Sequence, residues 1–521
     1  MKNGNRQNSK RIHASRPNGT ARRKPSARPG KLDTRPAKRG GTKAAPTLDD
    51  AKGKNRSASD KGSASAGART RKGGDRKKSA DRTLIAKGFN PKSPRAKKAL
   101  AKRADTAGKG GPASVRKAPI SLAPGALYCP IDGQCGGCQL LSVPYGQQLR
   151  DKQHRMENLF ADLIDDSCVV CKIIGMADPT HYRNKVISPF VGVYDKRARR
   201  RRILCGMYAQ GTHRVIDSSE CLIENRIAKR IILTVRDLMP QFGVTPYDED
   251  ADTGFLRHAQ VRVGHATGEV MVTLVTRDEQ FPASRAFVKA LVKAHPCITT
   301  VVQNVNTRQT NVIMGDKERT LYGPGFILDE LCGLKFRISS KSFYQVNVVQ
   351  TEELYRRAVQ MAALTGTETL MDAYCGTGTI GLVAARGVDG APGAARVIGV
   401  EERLDAVADA RNNARHNGVE AAEFVAADAG EYMRDLAAQG ALLDVLMMDP
   451  PRAGSTPDFL KAACTLAPRR IVYISCNPDT QARDVRYLIE HGYRVVEMQP
   501  VDMFPHTPHV ENIVALVRDA R

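Results

Sequence analysis

The C-terminal part of this 521-residue chain reads as an α/β domain on a doubly wound parallel sheet, and three observations predict it. Short runs rich in β-branched residues (369–374, 397–401, 423–428, 443–449 and 471–475) alternate with helical stretches, the βαβ rhythm of a parallel sheet. Acids close successive runs at Glu401, Asp428 and Asp449. A glycine loop, Cys375-Gly376-Thr377-Gly378, follows the first run and opens a helix. The plan is Rossmann-like, with ligands expected at the carboxyl edge of the strands.

Taken in order, a helix fits 350–364, and Thr369–Tyr374 is the first strand, closed by the glycine loop. Next come Val397–Glu401, a long helix to about 416, Glu423–Asp428, and Leu443–Asp449 leading into Asp449-Pro450-Pro451-Arg452. Ile471-Val472-Tyr473-Ile474-Ser475-Cys476 is a buried strand, stopped by Asn477-Pro478. The last strands are Arg494–Met498 and Asn512–Val517.

Charge divides the chain. Residues 1–120 carry 35 of the 81 Lys and Arg and 7 of the 54 Asp and Glu, a net +28, which leaves the remainder near neutral. Residues 1–118 hold one aromatic, Phe89; such a composition cannot bury enough apolar surface to offset chain entropy, so a disordered basic tail is expected. Its charge suits phosphate backbones. No run of 18 apolar residues and no apolar leader segment occurs, so neither a membrane span nor an export signal is expected. Twelve cysteines without an export signal fit reduced thiols, metal ligation or catalysis better than disulfides. The expected setting is cytoplasmic, the expected state a monomer.

Residues 119–345 read as an α+β domain. Cys129, Cys135 and Cys138 form a C-x5-C-x2-C knuckle with Gly133, Gly136 and Gly137 between them. Cys221 is the best fourth ligand, Cys205 the second, and the Cys168/Cys171 pair could compete. Four thiolates suit zinc or an iron–sulfur cluster, and three close cysteines with a distant fourth lean to the cluster. An amphipathic helix is expected over 142–165 and another helix near 282–294. The run Lys196–Arg202, six basic residues in seven, reads as a hairpin tip that is either a solvated face or a phosphate contact.

Cys476, at a strand end, is a candidate nucleophile; the commoner fate of a lone cysteine is a small buried hydrophobe. Gly376 and Gly378 let a ligand approach, and Glu401 can accept two ribose hydroxyls. Asp428 belongs to the same acid series but could equally be a helix cap. No G-K-[ST] occurs. An adenosyl ligand without pyrophosphate, S-adenosylmethionine, fits better than a triphosphate or dinucleotide. Glu511, just before the last strand, could approach Cys476.

Taken together, several motifs resemble the bacterial RNA uracil-5 methyltransferases, in particular the iron–sulfur type acting on 23S ribosomal RNA. They are the cysteine knuckle with Cys221, Ser342-Phe343-Tyr344-Gln345-Val346-Asn347, Asp372–Gly378, Val400-Glu401, Asp449–Arg452, Ser475–Pro478 and His509-Val510-Glu511. The resemblance spans roughly 400 residues. It implies that Gln345, Tyr374, Glu401 and Asp449 contact S-adenosylmethionine, that Cys476 is the nucleophile and Glu511 the base, and that the knuckle holds a cluster, expected as [4Fe–4S]. It departs from the family pattern where many members carry a small β-barrel RNA-binding domain, since the basic tail stands there instead. The rival readings are another RNA base methyltransferase, a transfer RNA enzyme included, and a non-catalytic iron–sulfur RNA-binding protein.

Overall fold

The computed structural model describes residues 123–519; the tail lies outside them. Helix α1 (Tyr145–Phe160) precedes the short strand β1 (Val169–Val170). A mixed sheet follows from β2 (Lys185–Asp195), β3 (Arg200–Tyr208), β4 (Val215–Asp217), β5 (Leu256–Val263), β6 (Val270–Thr276), β7 (Ile298–Val305) and β8 (Lys317–Tyr322), in the order β4-β3-β2-β5-β6-β7-β8. Helices α2 (Arg226–Leu238) and α3 (Ser284–Ala294) cover it. Their apolar sides, Ile231, Ile232, Val235, Phe287 and Leu291, pack into the core formed with β5 and β6. The α3 span agrees with the helix expected near 282–294. Asn225 caps α2 by accepting from the N–H groups of Ile227 and Ala228. A hairpin, β9 (Phe326–Leu331) and β10 (Leu334–Ser339), then leads to the C-terminal layer.

That layer contains α4 (Val348–Met361), β11 (Thr369–Ala373), α5 (Thr379–Arg386), β12 (Arg396–Glu401), α6 (Leu404–His416), β13 (Ala422–Ala426), α7 (Ala429–Ala438) and β14 (Val445–Met448). It closes with α8 (Pro457–Leu466), β15 (Arg470–Ser475), α9 (Pro478–Glu490), β16 (Tyr493–Val501) and β17 (Glu511–Arg518). The eight strands run β1-β16-β17-β15-β14-β11-β12-β13. Strands β11 to β15 are mutually parallel, as the alternation predicts. The sheet is not parallel throughout: β17 lies antiparallel between β15 and β16. The reason is the connection. β16 and β17 are joined by the turn 502–510 without a crossover helix, and such a link returns the chain antiparallel.

Two features set the site. The sheet reverses between β11 and β14, so the loops after these strands open a crevice at their carboxyl ends. The segment from α1 to residue 174 also serves this layer: β1 pairs with β16, and Met156 and Phe160 of α1 are fully buried in its core.

Candidate active site

β15 and β17 pair in register up to Ser475 opposite Asn512. The next residue along β15 is Cys476, and the residue before Asn512 is Glu511, so the ladder sets thiol and carboxyl side by side at one rim. Gln481 locks this end, donating to the carbonyls of Tyr473 and Asn512 at 2.8 and 3.1 Å and accepting from Asn512 Nδ2 at 2.9 Å.

A cavity of about 480 Å³ opens here, lined among others by Gln345, Tyr374, Gly376, Glu401, Asp449, Arg452, Cys476 and Glu511. Gly376, at φ +56°, turns the loop after β11 so that its N–H donates to Glu401 Oε2 at 3.1 Å. Glu401 Oε1 accepts from Arg403 N–H, leaving a carboxylate held from both sides at the cavity wall. Asn184 binds the carbonyl of Gln345 at 3.0 Å and fixes that segment.

Two expected residues stand elsewhere. Asp428 caps α7, accepting from Glu431 N–H at 2.9 Å, and does not line the cavity. Gly378, at φ +79°, caps α5, and a Cβ there would meet the Phe424 ring at 2.7 Å; close packing, not ligand approach, demands glycine.

Burial governs the titration of the site. It pushes Asp449 up to about 7. Asp372, beneath the loop, also rises to about 7 through burial, opposed by the Gly381 N–H and reinforced by Asp449 and Glu401. Glu511 rises to about 8 through burial and then the charge of Asp449, against the pull of Arg452. The Cys476 thiol rises to about 11 through burial, Glu511 and Asp449; Arg452, within hydrogen-bonding reach, draws it back. At neutral pH only about 10⁻⁴ of such a thiol is thiolate, so added positive charge or loss of a neighbouring negative charge is needed to activate it.

The turn 502–510 that delivers Glu511 is clamped from far away in sequence. Asp502, fully buried, takes Lys152 Nζ at 2.5 Å and Tyr145 OH at 2.7 Å. His506, held at φ +68°, receives Gln148 on its N–H side, where Gln148 Oε1 accepts at 3.1 Å, and its carbonyl accepts from Gln139 and Leu140. Asn347 donates to Met503 O at 3.0 Å and Tyr182 OH to Pro505 O at 3.0 Å. Tyr145, Gln148, Lys152 and Tyr182 had no positioning role legible in the sequence, because their partners lie more than 300 residues away; Asn347 was legible only as the end of the Ser342–Asn347 motif. Arg452 was legible in Asp449-Pro450-Pro451-Arg452 without a role. Its carbonyl accepts from Asn477 Nδ2 at 2.9 Å and Thr480 Oγ1 at 3.3 Å, joining that motif to the Cys476 loop.

Cys129, Cys135, Cys138 and Cys221 all line a second cavity of about 600 Å³, which shares Phe343, Gln345, Arg452 and Phe504 with the first. The rival cysteines stand apart: Cys205 is buried in the core with β3, and Cys171 lies beside Arg357 and Glu497. Burial, then neighbouring thiols, pushes Cys138 up to about 12; burial, then Glu224, pushes Cys221 to about 11. Gly137 N–H points at Cys135 Sγ, 3.3 Å away. Among the described residues, no three His, Cys, Asp or Glu side chains converge closely enough to grip a single metal ion as they stand. No described helix is long and apolar enough to cross a membrane.

A nucleoside-sized crevice at the switch point, a glycine turn bound to an acid after the next strand, and carboxylates at strand ends define an S-adenosylmethionine-dependent methyltransferase. Comparison with known proteins gives the particular family. The tRNA (uracil-5-)-methyltransferase model matches residues 332–519. An uncharacterized RNA methyltransferase of Halalkalibacterium halodurans is 43% identical over 389 residues, 74% of this chain and 82% of that protein. One from Staphylococcus aureus is 41% identical over 393 residues, 75% of this chain and 83% of that protein. Among solved structures, the Pyrococcus abyssi tRNA (uracil-54, C5)-methyltransferase in complex with S-adenosyl-L-homocysteine is similar, with TM-score 0.59 and 28% identity over 74% of this chain and 86% of that one. The chain belongs to the RNA uracil-5 methyltransferases, and its methyl donor is S-adenosylmethionine.

Proposed function

We propose that the protein methylates C5 of a uridine in 23S ribosomal RNA through a covalent Cys476 adduct. The observation that carries the mechanism is the placement of Cys476 and Glu511 at paired strand ends within one cavity that also contains Asp449, Glu401 and Gly376. Gln345, Tyr374, Glu401 and Asp449 hold the methyl donor, with Gly376 giving its backbone close approach; Gly378 and Asp428 support the loop and α7 from behind.

Uracil C5 is a weak nucleophile. The Cys476 thiolate adds to C6, forming an S–C6 bond and moving electron density onto C5. C5 takes the methyl group as the donor's methyl–sulfur bond breaks. Glu511 then removes the C5 proton, the double bond re-forms, and the S–C6 bond breaks to release the thiolate. A carboxylate whose conjugate acid lies near 8 is a stronger base than an ordinary glutamate. Arg452 and the cationic donor favour the thiolate. The target base must leave its stack, which costs a few kcal/mol and less in an unpaired loop; Phe343, 67% exposed between the two cavities, and Phe504 are suited to stack on it.

Cys129, Cys135, Cys138 and Cys221 hold an iron–sulfur cluster, [4Fe–4S]. The four thiols line one cavity, Cys138 lies within electrostatic reach of the other three, and the Gly137 N–H offers a donor to a ligating sulfur. Bound there, the cluster would supply a rigid anchor for the knuckle against the His506 turn. No electron moves in methyl transfer. Residues 119–345 serve RNA and cluster and 346–521 methyl transfer, with α1 lent to the latter. The basic tail 1–118 tethers RNA through its phosphates, and the protein acts as a cytoplasmic monomer. The likeness to a tRNA enzyme favours transfer RNA as the second reading. Nucleoside mass spectrometry with site mapping on ribosomal and transfer RNA from a deletion strain decides: a 5-methyluridine lost from 23S RNA supports the first, one lost only from transfer RNA the second.

A further inference from the structure

Strand β2 changes partners halfway along. Residues 185–189 pair with β5, whereas 190–195 pair with β3. Pro189, with no N–H to offer a ladder, sits at the changeover. β3 in turn meets β4 only through 206–208. From 191–195 and 200–204 outward the two strands have only each other as ladder partners, so they leave the sheet as a two-stranded arm. Residues 196–202 at its end are all exposed. They include Lys196, Arg197 and Arg199 to Arg202. Among the described residues, the one carboxylate within ion-pair distance is Asp195, 3.5 Å from Arg202. Asp195 is otherwise occupied, accepting from the N–H groups of Arg197 and Ala198 to close the turn. Tyr194, 61% exposed, lies directly across the ladder from Arg201.

Residues 121–521 balance 46 Lys and Arg against 47 Asp and Glu, so this concentration of unpaired charge is local, not a reflection of a basic body. The base of the same strand, Lys185 to Ile187, lines the cavity next to the catalytic one. At about 3.3 Å per residue the arm tip stands roughly 25 Å from that cavity. We propose that the β2–β3 arm is a second grip on the RNA substrate. Its arginines take phosphates several nucleotides from the target uridine, and the exposed Tyr194 ring offers a stacking surface. The proposal rests on RNA being the substrate and adds which surface holds it and at what distance.

The test uses the full chain with Arg199, Arg200, Arg201 and Arg202 each changed to Gln, and a second variant with each changed to Lys. Binding to a 23S RNA transcript is measured from 50 to 300 mM KCl, and methyl-transfer KM on that transcript and on a heptanucleotide with one central uridine. In the Gln variant the slope of log K against log salt becomes shallower by about 3 to 3.5, since each of four lost phosphate contacts removes about 0.7–0.9. The ratio of long-RNA KM to heptanucleotide KM rises about tenfold or more, and the Lys variant restores both. An unchanged slope, or equal KM losses on both RNAs, overturns the arm. If the arm effect appears but wild type methylates no uridine in the transcript, the arm stands and the 23S reading falls; methylation with an unchanged slope gives the reverse.

Discussion

Lys152→Met should destabilise the fold through a carboxylate it leaves behind. Lys152 and Asp502 are 4% and 0% exposed and 2.5 Å apart. Burial draws the ammonium below the ordinary lysine range even with Asp502 beside it. Removing one partner of such a pair leaves an uncompensated buried charge, at about 3–5 kcal/mol. With an unfolding entropy of about 2.1 cal/mol/K per residue over residues 123–519, that is a fall in Tm of about 4–6 °C. Asp502→Asn added to Lys152→Met keeps an acceptor for Tyr145 OH while removing the charge, and should recover most of the loss. Differential scanning fluorimetry on the four corners of the cycle gives the coupling. The turn from 502 to 510 delivers Glu511, so the single variant should also lose kcat. A single variant within 1 °C of wild type, or a double variant no better than the single (differences of about 1 kcal/mol or less), would refute the reasoning.

Other outcomes follow from the same geometry. Activity should rise with pH through about 8, because Glu511 must lose its proton to act as base; a profile flat from pH 6.5 to 9 contradicts that. Burial raises Asp372 well above the usual carboxylate range, to about 7, so the folded state binds a proton that the unfolded chain has lost, and stability is lost as pH rises through about 7. Asp372→Asn should therefore raise Tm at pH 8 by more than at pH 5. Cys138→Ser should abolish visible iron–sulfur absorbance in anaerobically purified protein, whereas Cys168→Ser, outside the cysteine cavity, should leave it intact.

The parallel strands β11 to β15 were legible because each buried run ends at a polar or glycine-rich turn, and the ends of these runs placed Glu401, Asp449 and Cys476 at the cavity. Glu511 was legible as a carboxylate before the last strand that could approach Cys476, and as the base that the family resemblance implies; the pairing that brings the two together depends on β17 entering between β15 and β16, a choice made by tertiary packing. Asp428 shows the limit of position-based inference, since a strand-end acid before a helix serves equally as a cap, and here its oxygen is spent on Glu431 N–H. Spacing left the fourth cysteine open; the fold carries Cys221 to the knuckle's cavity and sends Cys205 into the core with β3. The clamp of Tyr145, Gln148 and Lys152 on the 502–510 turn had no sequence signature, because an amphipathic helix advertises its apolar face and not which polar group will be buried.

The most direct test of the covalent route is intact-mass and denaturing-gel analysis of Glu511→Gln incubated with S-adenosylmethionine and 23S RNA transcript. A methylated protein–RNA adduct attached at Cys476, absent from the Glu511→Gln/Cys476→Ala double variant, is the expected result. Product formation at the wild-type rate by Cys476→Ala alone, with no adduct in either variant, would contradict it.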